Sequence, residues 1–179
     1  MTITDSQRLT YRLMDENDAH LLFELDQDPA VMKYINGGRP NSMDDINDTF
    51  IPRLKAFTNL AQGWGLWQVN ITETNQFIGW ILVRPMGFFN NERNDSDLEL
   101  GWRFKQCTWG KGYASEAAEH IAQALAVNPT THHFSAIALP DNVGSIAIMK
   151  KLGMSFVKEY IHKDPLGDSK VVLYRTDIR

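Results

Sequence analysis

The sequence predicts one α/β domain around a largely antiparallel sheet, and three observations predict it. Apolar periodicity runs in the order strand, two helices, three strands, helix, strand, helix, two strands, so three strands follow one another without crossover helices. No internal repeat, low-complexity stretch or linker interrupts the 179 residues, a length that suits a single core. The stretch from Asp97 to Ala126, DLELGWRFKQCTWGKGYASEAAEHIAQALA, reads as a strand, a short connection, a glycine turn and an alanine-rich amphipathic helix.

Leu9, Tyr11 and Leu13 alternate with polar residues and predict a first strand over residues 8–13. Asp15 or Asn17 can cap a helix carrying Ala19, Leu21, Leu22 and Leu25. Pro29 starts a second piece with Val31, Met32 and Ile35 as its apolar positions, ended by Gly37-Gly38. Ser42 and Asp45 make a weakened capping box, the acid being Asp rather than Glu or Gln. The helix behind it is expected to reach about residue 60, with Pro52 bending or splitting it.

Gly63 and Gly65 mark a turn, and strands over 66–71 and 77–84 follow, joined by a hairpin-like Glu73-Thr74-Asn75. Pro85 is expected to stop the second of them. The polar run NNERNDSD at 90–97 reads as an exposed loop ahead of a strand over 98–104. In the central helix Tyr113, Ala114, Ala117, Ala118, Ile121, Ala122 and Leu125 share one stripe, and alanine there implies close approach to a sheet. Asn128-Pro129 ends it. A strand over 134–139 leads through Pro140-Asp141-Asn142 into a helix over 143–152 with Gly153 just past its end. Strands over 155–161 and 170–176 close the chain.

Composition narrows the function. A hydrophobic fraction of 43% and a charged fraction of 22% are ordinary for a globular protein. With 18 basic and 22 acidic residues, a net charge of -4 and no Lys/Arg block, nucleic acid is not expected as a partner, and a cationic substrate would be tolerated. The single Cys107 excludes an internal disulfide and a multi-cysteine zinc site, which fits a reducing compartment. The N-terminal MTITDSQRL lacks the basic and apolar regions of a secretory signal, and no apolar run approaches a membrane span. The expectation is a cytoplasmic protein with no membrane partner and no metal.

The turn Trp109-Gly110-Lys111-Gly112-Tyr113-Ala114 stands where the central helix begins. The first amides of a helix lack intrahelical acceptors and lie at the positive end of its dipole. Two glycines without Cβ atoms let the backbone close on a ligand. Together they make a seat for a phosphate or pyrophosphate.

These residues resemble the GNAT superfamily of N-acetyltransferases, and within it the RimJ/RimL type, along essentially the whole chain. The superfamily signature Gln/Arg-x-x-Gly-x-Gly/Ala is matched at Cys107-Thr108-Trp109-Gly110-Lys111-Gly112, with the first position departing from it. The turn followed by Glu116-Ala117-Ala118, the Asn142-x-x-Ser145 motif with Lys151-Leu152-Gly153, the early DPAVMKYI and the late VVLYR are similar to the RimJ/RimL wording.

The resemblance implies a single GNAT domain: a twisted, mostly antiparallel mixed sheet with helices on both faces and a central parallel strand pair that splays apart. It implies acetyl-CoA as the donor. Backbone amides of Trp109, Gly110, Lys111, Gly112, Tyr113 and Ala114 would hold the pyrophosphate, Asn142 would bond the pantetheine arm, and backbone groups of Trp102, Arg103 and Phe104 would pair with that arm. The expected partner is a primary amine, a protein N-terminus or a small molecule, with a homodimer as an open assembly.

Glu99 lies on the strand before the turn, where several GNAT enzymes carry a glutamate base. It is a candidate to accept or relay the amine proton or to orient the ammonium, and equally a polar residue on a half-buried strand. The tyrosine that many GNAT enzymes use as acid falls on Met149 here. The RimJ/RimL resemblance points to Ser145 instead, although a serine just inside a helix also serves as a cap.

Glu116 and His120 share a helix face, but EAAEH is not HExxH, and a solvated pair is expected rather than a metal site. His132-His133 and Arg39 are expected in exposed loops. Trp64, Trp67 and Trp80 are expected in core or pocket wall. Two other functions compete. A dinucleotide-binding enzyme would need a third small residue in the glycine turn, and the three consecutive strands are not a repeated βαβ pattern. A Walker A reading fails because Gly112 follows Lys111. An acyl-CoA-binding sensor without catalysis stays open, with Glu99 and Ser145 arguing against it.

Overall fold

The computed structural model describes residues 1–178. Seven strands form one sheet in the order β1-β2-β3-β4-β5-β7-β6. They are β1 (Leu9–Leu13), β2 (Gly65–Ile71), β3 (Phe77–Met86), β4 (Asn94–Phe104), β5 (His133–Ala138), β6 (Ser155–His162) and β7 (Ser169–Asp177). Neighbouring strands are antiparallel except β4 and β5, which run parallel.

Alternation along the strands sorts side chains between two faces. On one face Leu98, Leu100 and Phe104 of β4 join Ile81 and Val83 of β3. They pack on Ala117, Ala118, Ile121 and Leu125 of α5 (Tyr113–Leu125) and on Met149 of α6 (Val143–Lys151). Alanines at 117 and 118 are fully buried, as their small size on the apolar stripe predicts. The other face carries a second cluster. There Leu66 of β2 meets Leu22 of α1 (Ala19–Asp26) and Ile51, Leu54 and Phe57 of α4 (Ile51–Phe57).

Local chemistry sets the early helices. Asp15 closes a capping box with Asp18 at a short 3-10 turn ahead of α1. Asp28 caps α2 (Pro29–Asn36), which has proline in its first turn and stops at Gly37 in the left-handed region, φ 81°. Ser42 and Asp45 form the expected reciprocal box at α3 (Met43–Asp45). Between α3 and α4 the backbone opens into a π turn over Ile46–Phe50, immediately before Pro52. Proline lacks an N–H and crowds the carbonyl four residues back, and a wider turn relieves both. The helix thus continues through the proline and ends at Phe57, short of residue 60.

Two expectations fail. Pro85 does not stop β3, which runs to Met86. The β2 ladder has already ended at Gly65 opposite Val83, and a register shift follows Pro85, so the missing N–H costs no central hydrogen bond. The polar run 90–97 is only partly loop, because β4 begins at Asn94. Its first residues are solvent-exposed, so no apolar alternation marks them.

Candidate active site

The central feature is a break between β4 and β5. The two strands pair only through Asp97–His133, Leu98–Phe134 and Glu99–Ser135. Beyond Glu99 each keeps its outer partner: β4 stays in register with β3 to Phe104, and β5 with β7 to Ala138. From Leu100 onward the inner edge of β4 therefore faces a notch, with backbone donors and acceptors that belong to no ladder. This is the splay expected of the strand pair.

The glycine turn follows β4. Gly110 and Gly112 take φ of 74° and 80°, the left-handed region that a side chain resists. Among the described residues, no backbone hydrogen bond engages the amides from 110 to 115; the first intrahelical bond runs from Glu116 N to Gly112 O. A Cβ at Gly110 would meet nothing within 4 Å, so the turn opens outward with its amides unspent. Trp109 is half exposed and donates its indole N–H to Phe104 O at 2.9 Å, pinning the turn to the end of β4.

A clasp from the chain start holds this turn. Arg8 Nη1 donates to Lys111 O at 3.0 Å, its Nε pairs with Glu116 Oε2 at 2.7 Å, and its guanidinium lies 4.4 Å over the Tyr113 ring. Glu116 Oε1 also accepts from Ser6 Oγ and Arg8 N. Burial pushes the Glu116 carboxyl up, but the hydrogen bonds from Ser6 and Arg8 together hold it below its ordinary range. The expected solvated pair with His120 is thus corrected. His120 instead stacks on Tyr11, and its Nε2 meets Thr4 O at 2.8 Å. Arg8 carries no sequence signal of its own, since its partners lie more than a hundred residues away.

Glu99 is buried and its Oε2 accepts from Arg84 Nε at 2.8 Å, across the β3–β4 ladder. Arg103 shares its face of β4, and its side chain pairs with Asp26 of α1 at 2.7 Å. Trp102 points the other way. Its indole N–H donates to Ser145 Oγ at 3.1 Å, bringing Ser145 against the notch from the α6 side. Asn142 caps α6, its Oδ1 accepting from Ser145 N at 3.2 Å, so the helix cap is Asn142 and the Ser145 hydroxyl keeps its proton for another acceptor. Glu99 and Ser145 thus flank the strand edge from opposite faces.

On the Glu99 face a cavity of about 160 Å³ opens between the early helices and the sheet. Its apolar wall includes Leu22, Ile46, Phe50, Leu54, Phe57 and Leu82, and its polar members are Arg53, Arg84, Arg103 and Asp26. Trp80 lies in this wall and Trp67 in the core, as expected. Arg84 also borders a smaller space with Glu99, His162 and Asp164. Tyr160, on the same side, has its hydroxyl pushed up to about 12, first by burial and then by the Glu99 charge. The arginines of the cavity come from α4, β3 and β4 and form no local motif, which is why sequence patterns miss them.

His133 pairs with Asp177 at 2.8 Å and is half-buried rather than exposed, while Arg39 is exposed as expected. Among the described residues no group of three His, Cys, Asp or Glu side chains is placed to hold a metal, and no helix is long and apolar enough to cross a membrane. For a nucleotide-borne thioester the fit is good. An unpaired strand edge, a left-handed glycine with open space above it and unspent amides follow one another along the chain from Leu100 to Ser115.

Comparison with known proteins agrees with this geometry. The family model for the acetyltransferase (GNAT) domain matches residues 8–155. An uncharacterized N-acetyltransferase of Bacillus subtilis, YnaD, is 31% identical over 163 residues, covering 88% of this chain and 87% of its own length. The FsC-acetyl coenzyme A-N(2)-transacetylase of Aspergillus fumigatus is 28% identical over 142 residues; the match covers 78% of this chain and 59% of that protein, less than two thirds of it. A crystal structure of a GNAT-family acetyltransferase from Bacillus anthracis superposes with a TM-score of 0.72 at 26% identity, over 98% of this chain and 96% of that one. With its splayed strand pair and glycine turn, the chain belongs to the GNAT family of acetyl-CoA-dependent acetyltransferases.

Proposed function

We propose that the protein transfers the acetyl group of acetyl-CoA to a primary amine by direct attack of the amine on the thioester. The observation that carries this reading is the notch beyond Glu99, bordered by an unpaired strand edge and leading to a turn with five unspent amides. Amides of Trp109 to Ala114 hold the pyrophosphate, although Trp109 N already donates to Gln106 O and contributes least. Backbone groups of Trp102 to Phe104 pair with the pantetheine arm, and Asn142 reaches it with the amide nitrogen that its capping role leaves over. The donor supplies an activated acetyl carbon.

The chain's own residues manage the protons. As the nitrogen–carbon bond forms and the carbon–sulfur bond breaks, the amine gives up a proton on the Glu99 side. Glu99 accepts it directly or through water, or holds the ammonium in place before attack. On the opposite side the Ser145 hydroxyl donates to the departing sulfur. Trp102 supports that role, since its N–H donates to Ser145 Oγ and steers the serine proton away from Trp102. The RimJ/RimL-like wording of the turn and of the Asn142-x-x-Ser145 motif favours an α-amine, whose ordinary pKa of roughly 8 asks little of a base.

The test is thiol release from acetyl-CoA with a panel of amines, followed by mass spectrometry of the products. Acetylated amine with stoichiometric thiol is expected. Saturable acetyl-CoA binding without thiol release from any amine would favour a sensor instead.

A further inference from the structure

The cavity on the Glu99 face has a composition that selects its occupant. Three guanidinium groups line it, from Arg53, Arg84 and Arg103, against a single carboxylate, Asp26. The carboxylates that pair with Arg53 and Arg84 are Asp164 and Glu99, and neither is part of this wall. Each guanidinium thus has one carboxylate partner, and what the lining offers is not net charge but the N–H donors left over from those pairs.

Arg84 is the key member. Its side chain is 13% exposed and lies 5.6 Å from the Phe57 ring and 5.4 Å from the Phe89 ring. It spends only Nε, on Glu99; among the described residues no hydrogen bond engages either of its Nη atoms. Arg103 likewise gives only Nη1, to Asp26. A guanidinium has five donors in a planar fork that matches a carboxylate. Two largely covered forks with spare donors thus reach the same cavity from adjacent strands and offer partners to an anionic group.

Around those donors the wall is apolar and the size is telling. An enclosed apolar cavity of about 150 Å³ holds one benzene ring; this one measures about 160 Å³ and opens to solvent, so it has room for a ring-sized group without enclosing the rest of the molecule.

We propose that the acceptor is a small zwitterionic amine, a free amino acid with a ring-sized apolar side chain. Its side chain fills the cavity, its carboxylate meets Arg84 and Arg103, and its amine lies toward Glu99. A polyamine or a protein N-terminus has no such carboxylate and leaves the spare guanidinium donors unfilled. The proposal rests on the acetyl-transfer reading and narrows it.

Initial rates of thiol release decide it, with L-phenylalanine, L-phenylalaninamide, spermidine and kanamycin as acceptors. Removing the carboxylate makes the amine easier to deprotonate, so any preference for the free acid reports binding. The expected result is a kcat/KM about tenfold or more higher for phenylalanine than for its amide, the scale of lost charge-assisted hydrogen bonds. Arg103→Met should erase that preference. Leu54→Phe, which fills the cavity, should raise the KM for phenylalanine and leave acetyl-CoA affinity unchanged. Equal use of acid and amide, or preferred turnover of spermidine or kanamycin, would overturn the assignment while leaving the acetyl-transfer reading intact. No thiol release from any acceptor would instead overturn that reading. Calorimetric titration of the CoA-saturated protein then decides the cavity alone: binding of phenylalanine tighter than its amide supports the seat, and equal or absent binding removes it.

Discussion

Trp102 and Ser145 meet across the notch, the indole N–H donating to the hydroxyl oxygen at 3.1 Å. The bond orients the hydroxyl and leaves its hydrogen outward. Ser145→Ala should lower kcat by about a hundredfold, the low end of what a positioned proton donor supplies, and leave acetyl-CoA affinity unchanged. Trp102→Phe keeps the hydroxyl but frees its orientation, so its kcat should fall less. Steady-state rates with a separate binding measurement check both. Equal activity of Ser145→Ala and the parent would remove Ser145 from the chemistry.

Glu99→Gln retains the side-chain shape and a hydrogen-bond acceptor for Arg84 but loses the charge. Turnover should drop by about a hundredfold if the carboxylate takes the proton, the lower bound for general base catalysis, with donor affinity unaltered. Turnover that is unchanged at saturating substrate across the pH range would show that Glu99 only completes the ion pair with Arg84.

Gly110→Ala tests the turn. The new Cβ has room, but φ of 74° disfavours it and it projects into the space above the unspent amides. Acetyl-CoA affinity should fall at least about tenfold while stability changes by about 1 kcal/mol, the usual scale of a left-handed alanine. Calorimetry and thermal melts separate the two effects. Affinity equal to the parent would move the pyrophosphate elsewhere.

The Arg8–Glu116 clasp gives a pH signature. Glu116 has a folded-state carboxyl held below its unfolded value, so it binds fewer protons folded than unfolded near that range. Its contribution is complete above the unfolded value and is lost as pH falls through the folded one. Melting temperature should therefore decline on acidification below the ordinary carboxylate range, and more gently in Glu116→Gln. Because Arg8 also holds Lys111 O, Arg8→Ala should weaken acetyl-CoA binding at neutral pH. Parallel acid profiles of parent and Glu116→Gln would refute the linkage.

Much of the architecture was legible because its signals are local. Capping residues at Asp15 and Ser42, the glycines that end α2 and the alanine stripe of α5 each act within a few residues of themselves. The turn at 109–114 was legible for the same reason. What escaped depends on distance or on register. Asn94 to Ser96 join β4 through ladder bonds that polar side chains do not advertise. Pro85 is tolerated because β2 has run out beside it, which no window around residue 85 reveals. Arg8 finds Glu116, and Arg103 finds Asp26, only after the sheet has assembled. The glycine turn is written in one continuous stretch, whereas the cavity on the Glu99 face draws its lining from α1, α4, β2, β3 and β4.

The short pairing of β4 with β5 has a mechanical consequence. Three residue pairs join the β1–β4 plate of the sheet to the β5–β7 plate, so the seam is the shortest ladder of the sheet. A molecule seated in the notch bridges that seam as a splint. Occupancy at one hundred times the dissociation constant adds about 2.7 kcal/mol to any fold that only the native state can bind. Here that gain would fall on the seam, so amide exchange along Leu100–Phe104 and Ala136–Ala138 should slow most when the donor is present.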